Sequence, residues 1–174
     1  TDAAGGDLAE RIRSRREPFE EETIWKYLIQ LCEGLKHLHS KRILHRDLKP
    51  SNVMLGKYGE TLVVDWGLAK AFSDSEIKGS DEASLNPASD PGQTQAGAII
   101  GTPAYMSPEQ AEMSGLDVDT RSDIYSLGVL LYELMTGRTP IDAKSLRKAG
   151  FDEMKRIIQE EEAHKPSLMI STMG

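Results

Sequence analysis

The sequence predicts an α+β fold that is mainly helical and carries short β-hairpins. Between residues 20 and 40, apolar side chains recur every three or four positions, which is the period of an amphipathic helix. The stretch from Thr120 to Met135 is apolar on nearly every side, which predicts a helix buried by its neighbours. Between these stretches, short β-type runs flank the glycine-bearing loop 56–60, which is typical of a hairpin.

The strand signals are short and lie between the two helices. The runs at 43–44, 53–55 and 61–64 are rich in aliphatic and β-branched residues. Residues 73–97 hold serines, acids, glycines and prolines with only two large aliphatic side chains, so this segment is predicted to be disordered.

Helix boundaries in the second half follow from capping signals. Ser107 is a favoured N-cap, Pro108 suits the first helical position and Glu109 suits the first turn. Gly137 is expected to end the helix that starts at Thr120. One last amphipathic helix is expected between residues 145 and 161.

Composition fits one globular domain, since 39% of the 174 residues are hydrophobic and 28% are charged. The net charge of -7 argues against nucleic acid or an anionic membrane as a partner. The single cysteine, Cys32, excludes internal disulfides and is expected in the core. No apolar run approaches the roughly 20 residues that span a bilayer. The expected location is the cytoplasm.

The run HRDLKPSN at 45–52 concentrates charge and an amide in one loop. Taken alone it could be a polar turn. However, Asp65 follows Asn52 by thirteen residues and ends an apolar strand, so the two side chains could converge on a divalent cation such as Mg²⁺. Asp47 would then be a carboxylate close to a substrate hydroxyl, and Lys49 a positive charge close to a phosphate.

Three motifs in order, HRDLKPSN, DWG and GTPAYMSPE, resemble the signature set of eukaryotic-type (Hanks-type) serine/threonine protein kinases. The resemblance runs from about residue 5 to 165, and DIYSLGVLLYELMTGRTP is similar to the central helix of the family's large, C-terminal lobe. It implies a protein-kinase-like fold. It also implies an enzyme that uses ATP and Mg²⁺ to phosphorylate Ser/Thr hydroxyls of protein substrates. The lysine in DLKPSN favours serine and threonine over tyrosine as acceptors.

The resemblance also implies catalytic roles. Asp47 would accept the proton of the attacking hydroxyl, and Lys49 would neutralise the γ-phosphate. Asn52 and Asp65 would hold magnesium. Thr102 would hydrogen-bond the first two side chains and help to accept Ser/Thr substrates.

Two further positions match the family's nucleotide contacts. Asp7 matches a residue that contacts the ribose, although it could equally be a helix N-cap. Met54 matches the apolar floor beneath the adenine, although a core methionine would look the same.

Other matches imply structural roles. His45 and Trp66 would stack in the column that joins the two lobes, where Trp66 replaces the usual phenylalanine next to Gly67. Glu109 matches a glutamate that pairs with a late arginine, and Asp123 matches one that anchors the catalytic loop from below.

Arg46 precedes the predicted catalytic aspartate, which in this family implies activation by phosphorylation of the segment 68–106. Thr94 is the predicted phosphosite. The alternative is that it is an ordinary solvated threonine.

The family's glycine-rich loop, strand lysine and helix glutamate have no match in this sequence. Residues 1–174 are therefore expected to be a partial kinase domain without the small lobe and the final helices, with Glu109 unpaired and marginal stability alone. The alternative to a kinase is a lobe remnant that acts as a protein-binding module or scaffold.

Overall fold

A computed structural model describes residues 6–15, 17–65, 70–71, 102–112 and 118–171. Its strands are β1 Gly6–Asp7, β2 Ile43–Leu44, β3 Val53–Leu55, β4 Thr61–Val63 and β5 Lys70–Ala71. Its helices are α1 Leu8–Ser14, α2 Glu21–Ser40, α3 Pro108–Ala111, α4 Thr120–Thr136, α5 Ala143–Lys148, α6 Phe151–Glu160 and α7 Pro166–Ser171. The segment 73–97, Trp66, Gly67 and Thr94 lie outside the described residues.

Helix α2 is the amphipathic helix that the sequence predicts. Its buried seam consists of Leu28, Leu31, Leu35 and Leu38. This seam joins α1 and α4 in the main hydrophobic core, where Leu8, Leu130 and Leu134 are fully buried. Burial of each such leucine contributes about 1.5–3 kcal/mol, so this shared core of α1, α2 and α4 stabilises the fold.

The prediction that Cys32 lies in the core is wrong, because its side chain is exposed. Cys32 directly follows Leu31 on α2, and successive residues of an α-helix point about 100° apart. The residue therefore lies on the solvent side of the buried seam.

The predicted hairpin is confirmed as the antiparallel pair β3–β4, with Val53 opposite Val63. Strand β1 pairs with the other edge of β3. Gln30 on α2 fixes the hairpin turn: its amide nitrogen donates to the Gly59 carbonyl at 3.1 Å, and its oxygen accepts from the Thr61 N–H at 2.6 Å. The predicted run 43–44 is confirmed as β2, whereas β5, with which it forms a second small sheet, was not predicted.

Helix α4 begins and ends close to where the sequence predicts. The Asp119 carboxylate caps its first turn, and Gly137 ends it with a positive φ of 75°. Most of its circumference is buried, although Ile124 is exposed. It carries residues on three sides that reach α2, the loop before β3 and the 3-10 turn Pro103–Tyr105.

The single last helix expected between residues 145 and 161 is wrong. The chain instead forms α5 and α6, because Ala149 and Gly150 are extended. This break lets Leu146 and Met154 enter one second apolar cluster with Ala111 and Ile141. Helix α7 follows and packs against α4. Among the described residues, no helix has the length and apolar character to cross a membrane.

Candidate active site

The candidate site is the loop between β2 and β3. Leu44, Leu48 and Val53 are buried and tie the loop to the core. The charged residues between them are thereby held at the surface of the domain. Pro50 then opens a short 3-10 turn, Pro50–Asn52, which leads into β3.

Asp47 lies at the centre of this loop, with 11% of its side chain exposed. Its Oδ1 accepts from the Thr102 N–H at 3.2 Å and from the Thr102 hydroxyl at 3.3 Å. Its Oδ2 accepts from Lys49 Nζ at 2.5 Å and from Asn52 Nδ2 at 3.2 Å. Donors from three separate chain positions therefore fix the orientation of this carboxylate.

Lys49 bridges two segments that are far apart in the sequence. Its Nζ also donates to the Thr102 hydroxyl at 3.0 Å. The sequence predicts that Asp47, Lys49 and Thr102 meet, and the structure brings these three side chains together. The Lys49 side chain is 22% exposed, so the ammonium group and the carboxylate lie side by side at a position that is partly open to solvent.

Asn52 is buried, and the orientation of its amide follows from its contacts. Its Nδ2 donates to the Asp47 carbonyl at 2.9 Å and to the Asp47 carboxylate. Both amide hydrogens thus face Asp47, so Oδ1 is turned to the opposite side.

Asp65 lies at the same end of the β3–β4 hairpin as Asn52. The Val64 N–H donates to the Asn52 carbonyl at 2.8 Å, and Asp65 is the next residue. Asp65 is exposed and has a left-handed backbone, with φ 66°. Such a backbone is uncommon outside glycine, although aspartate adopts it more readily than most residues, and such residues cluster at functional sites.

Two hard oxygen ligands, a carboxylate at Asp65 and an amide oxygen at Asn52, fit a divalent cation that takes its other ligands from water and phosphate. The described residues hold no cluster of three or more His, Cys, Asp or Glu side chains suited to a metal. The donor chemistry thus fits a cation shared with a substrate, whereas a cage built only of protein ligands has no support in the described ranges.

Asp123 on α4 is fully buried beneath the loop and accepts three hydrogen bonds. The N–H groups of His45 and Arg46 donate to it at 3.0 and 2.8 Å. His39 Nε2 contacts its Oδ2 at 2.8 Å. The sequence predicts the contact with the loop, whereas the contribution of His39 from the end of α2 had no signal.

His45 is fully buried, and its neighbours fix its tautomer. Its Nδ1 accepts from the Asp47 N–H at 3.3 Å, so the ring proton lies on Nε2, which faces the Val64 carbonyl at 3.2 Å. The ring thereby links the loop to the end of β4. Its predicted partner in the column, Trp66, is outside the described residues.

Glu109, which was expected to be left without the late arginine of the family, accepts a hydrogen bond from the Ser122 hydroxyl at 2.7 Å. Ser122 lies on the first turn of α4, one residue before Asp123. The carboxylate therefore has a partner within the chain, and it ties the start of α3 to the start of α4.

A second acid of α4, the partly buried Glu133, had no signal in the sequence. The Tyr105 hydroxyl donates to it. Burial raises the pKa of Glu133, opposed by that hydrogen bond and by the charge of Arg15. Burial also raises the pKa of Tyr105, and the Glu133 carboxylate raises it further. This pair holds the turn after Thr102 against α4.

Asp7 and Met54, the two predicted nucleotide contacts, lie on neighbouring strands but have different local roles. The Asp7 carboxylate accepts from the Glu10 N–H at 2.7 Å and caps α1, which is the N-cap alternative. Met54 is 38% exposed and pairs across the sheet with Asp7 on one side and Leu62 on the other. Met54 is therefore a surface residue of the sheet and not part of the core.

Comparisons with known proteins agree with these motifs. The family described as "Protein kinase domain" matches residues 2–172. The chain is 40% identical over 146 residues to serine/threonine-protein kinase PknD of Protochlamydia amoebophila, covering 82% of this chain and 14% of that protein.

Two other relatives are named as probable serine/threonine-protein kinases. One, from Streptomyces coelicolor, is 38% identical over 164 residues, which is 94% of this chain and 21% of the relative. The other, from Corynebacterium efficiens, is 35% identical over 170 residues, which is 98% of this chain and 22% of the relative. The chain thus spans about a fifth or less of the length of these relatives, and it belongs to the protein kinase domain family.

Proposed function

We propose that this chain is the catalytic part of a serine/threonine protein kinase, which transfers the γ-phosphate of ATP to Ser or Thr hydroxyls of proteins. The observation that carries the proposal is the position of Lys49 Nζ, at 2.5 Å from the Asp47 carboxylate and 3.0 Å from the Thr102 hydroxyl. The names of the relatives, which are serine/threonine-protein kinases, support it.

Asp47 is the proposed proton acceptor. Its carboxylate is held by Thr102 and Asn52, and it is partly open to solvent. A carboxylate in a fixed orientation can align an incoming hydroxyl with the phosphoryl group and accept its proton as the new bond forms.

Lys49 is the proposed cation for the transferring group. In the structure its charge is balanced by Asp47. When a phosphoryl group passes between the acceptor and the nucleotide, the same ammonium group can neutralise its oxygens without moving far. Thr102 keeps both groups in place, because its hydroxyl contacts each of them.

Asn52 and Asp65 are the proposed ligands of Mg²⁺. Their oxygens lie at the end of one hairpin, and magnesium favours such hard ligands together with phosphate and water. Bound Mg²⁺–ATP would supply the transferable phosphoryl group and neutralise part of its charge. Asp7 and Met54, neighbours across β1 and β3, are proposed to face the ribose and the adenine.

Arg46 and Thr94 are the proposed regulatory pair. Arg46 immediately precedes Asp47 and has a left-handed backbone. Because the two residues are adjacent, a phosphate that bound the Arg46 guanidinium would act next to the reacting carboxylate. We further propose that the described residues correspond to the large lobe of the kinase fold, because they are mainly helical and include the hairpin that follows the catalytic loop.

The test is phosphate transfer by the native gene product that contains this sequence. Radiolabelled ATP is supplied with a mixture of peptides that offer Ser, Thr and Tyr, and the labelled amino acids are identified. The proposal expects phosphoserine and phosphothreonine. Lys49→Ala is expected to lower the rate at least a hundredfold. The matched control is Lys57→Ala, because Lys57 is an exposed lysine whose ammonium lies over the Tyr58 ring.

Label on tyrosine alone would overturn the choice of acceptor. Equal rates for Lys49→Ala and Lys57→Ala would overturn the role of the site. Partner binding without any transfer would favour the protein-binding module.

A further inference from the structure

The peptide unit that joins Arg46 to Asp47 is hydrogen-bonded at both of its polar atoms. Its carbonyl oxygen accepts from Gln110 Nε2 at 2.8 Å. Its N–H, which belongs to Asp47, donates to His45 Nδ1 at 3.3 Å. The plane of the peptide that carries Asp47 is therefore set by two side chains, one from the loop itself and one from α3.

The backbone at Arg46, which precedes this peptide bond, has an uncommon conformation. Arg46 has φ 67°, in the left-handed region that L-residues other than glycine, asparagine and aspartate rarely occupy. Its own N–H is held by Asp123 at 2.8 Å. Without a partner on the carbonyl side, the peptide could rotate towards a more favourable conformation and carry Asp47 with it.

The other end of the Gln110 amide is committed to the start of α3. Its Oε1 accepts from the Ser107 N–H at 3.1 Å and from the Ser107 hydroxyl at 3.2 Å, and the Ser107 oxygen accepts from the Gln110 N–H at 3.3 Å. Ser107 is fully buried. Because the oxygen must face these donors, the amide nitrogen must face the Arg46 carbonyl.

A helix cap alone does not explain the choice of glutamine. Glutamate serves a capping box as well as glutamine, since only the side-chain oxygen takes part. Glutamate has no N–H in its side chain, so it could not donate to the Arg46 carbonyl as Gln110 does. Gln110 also lines a concavity together with Asp47 and Thr102, so it lies next to the proposed proton acceptor.

We propose that Gln110 is a positioning residue for phosphoryl transfer: the N–H of its side-chain amide couples α3 to the peptide that orients Asp47. The catalytic consequence rests on the proposed kinase function. The coupling itself is a property of the fold and can be measured without any activity.

The experiment compares three variants in the native gene product. Gln110→Glu keeps the oxygen for Ser107 and removes the donor to Arg46, and Gln110→Met removes both groups without adding charge. Ser107→Ala is the matched control, because it removes only the hydroxyl: the Ser107 N–H still donates to Gln110 Oε1, so the amide still faces the Arg46 carbonyl. The measurements are amide hydrogen exchange of residues 45–49, steady-state kinetics and thermal unfolding.

Both Gln110 variants are expected to speed exchange at the Arg46 and Asp47 N–H groups at least tenfold. They are also expected to lower kcat by about 10- to 100-fold, because a small misplacement of a reacting group has effects of this size. KM for ATP should stay within about twofold, since Gln110 lies away from the proposed nucleotide face. Ser107→Ala should keep the exchange of this loop and kcat within about twofold of wild type.

Unchanged exchange at residues 46–47 in both Gln110 variants would overturn the coupling, as would an equal increase in Ser107→Ala. If the wild-type protein transfers no phosphate, the proposed function fails, and the exchange data alone then support or overturn the coupling. Faster exchange with unchanged kcat would show that the coupling exists and would overturn the positioning role.

Discussion

Asp123→Asn is the substitution that most directly tests how the loop is supported. The Oδ1 atom of Asp123 accepts a hydrogen bond from the Arg46 N–H, and its Oδ2 accepts from both the His45 N–H and His39 Nε2. Asparagine has one oxygen where aspartate has two. Whichever way the amide turns, its NH₂ group faces a buried backbone donor that has lost its acceptor.

The expected loss follows from that geometry. A hydrogen bond to a charged group contributes about 1.5–3 kcal/mol, and a buried donor left without a partner costs about 1–3 kcal/mol. Allowing for relaxation around a site that is fully buried, the free energy of unfolding should fall by about 2–4 kcal/mol. For a domain of this size that corresponds to a decrease in Tm of roughly 5–15 °C.

The assay is thermal unfolding followed by circular dichroism, with Asp119→Asn as the control on the same helix. Asp119 is the N-cap of α4 and forms an exposed ion pair with Arg121 at 2.9 Å. Asparagine caps as well as aspartate, and an exposed ion pair contributes less than about 1 kcal/mol. A Tm of Asp123→Asn that matches the Asp119→Asn value would refute the reasoning.

Two further predictions concern buried and exposed side chains. Burial raises the pKa of Glu133, so its charge costs stability at neutral pH, and this cost fades as the pH falls through the raised pKa. The stability of Glu133→Gln relative to wild type, measured by urea unfolding, should therefore decrease as the pH is lowered from 7 to about 4.5, the ordinary pKa of glutamate; a difference independent of pH would contradict this. Cys32→Ser should change stability by less than about 0.5 kcal/mol, whereas Leu31→Ala should cost about 2–5 kcal/mol. Similar losses for both would contradict the orientation of α2.

Much of the fold could be predicted from the sequence, because its main elements carry strong local signals. The leucine spacing of α2, the N-cap at Ser107 and the glycine at 137 each act within one or two turns of chain. The break at Gly150 escaped prediction, because apolar residues on both sides keep a helical period and only their shared tertiary cluster separates α5 from α6.

The contacts of the candidate site also fall into those that the sequence predicted and those that it did not. That Asp47, Lys49 and Asn52 lie together could be predicted because they belong to one short motif, and the contact with Thr102 because its own motif is specific. His39 and Gln110 could not, because their contacts with Asp123 and with the Arg46 carbonyl join positions far apart in the chain. Cys32 was predicted wrongly because an apolar sequence context does not reveal which side of a helix a residue occupies.

The most direct measurement of the central claim is the rate of phosphate transfer to serine or threonine by the native gene product and by its Asp47→Asn variant. Asparagine keeps an oxygen for Thr102 but cannot accept a proton from the substrate hydroxyl. The proposed mechanism expects kcat to fall by about 10²–10⁴-fold, with KM for ATP within about threefold. Equal kcat values for the two proteins would contradict the assignment of Asp47 as the proton acceptor.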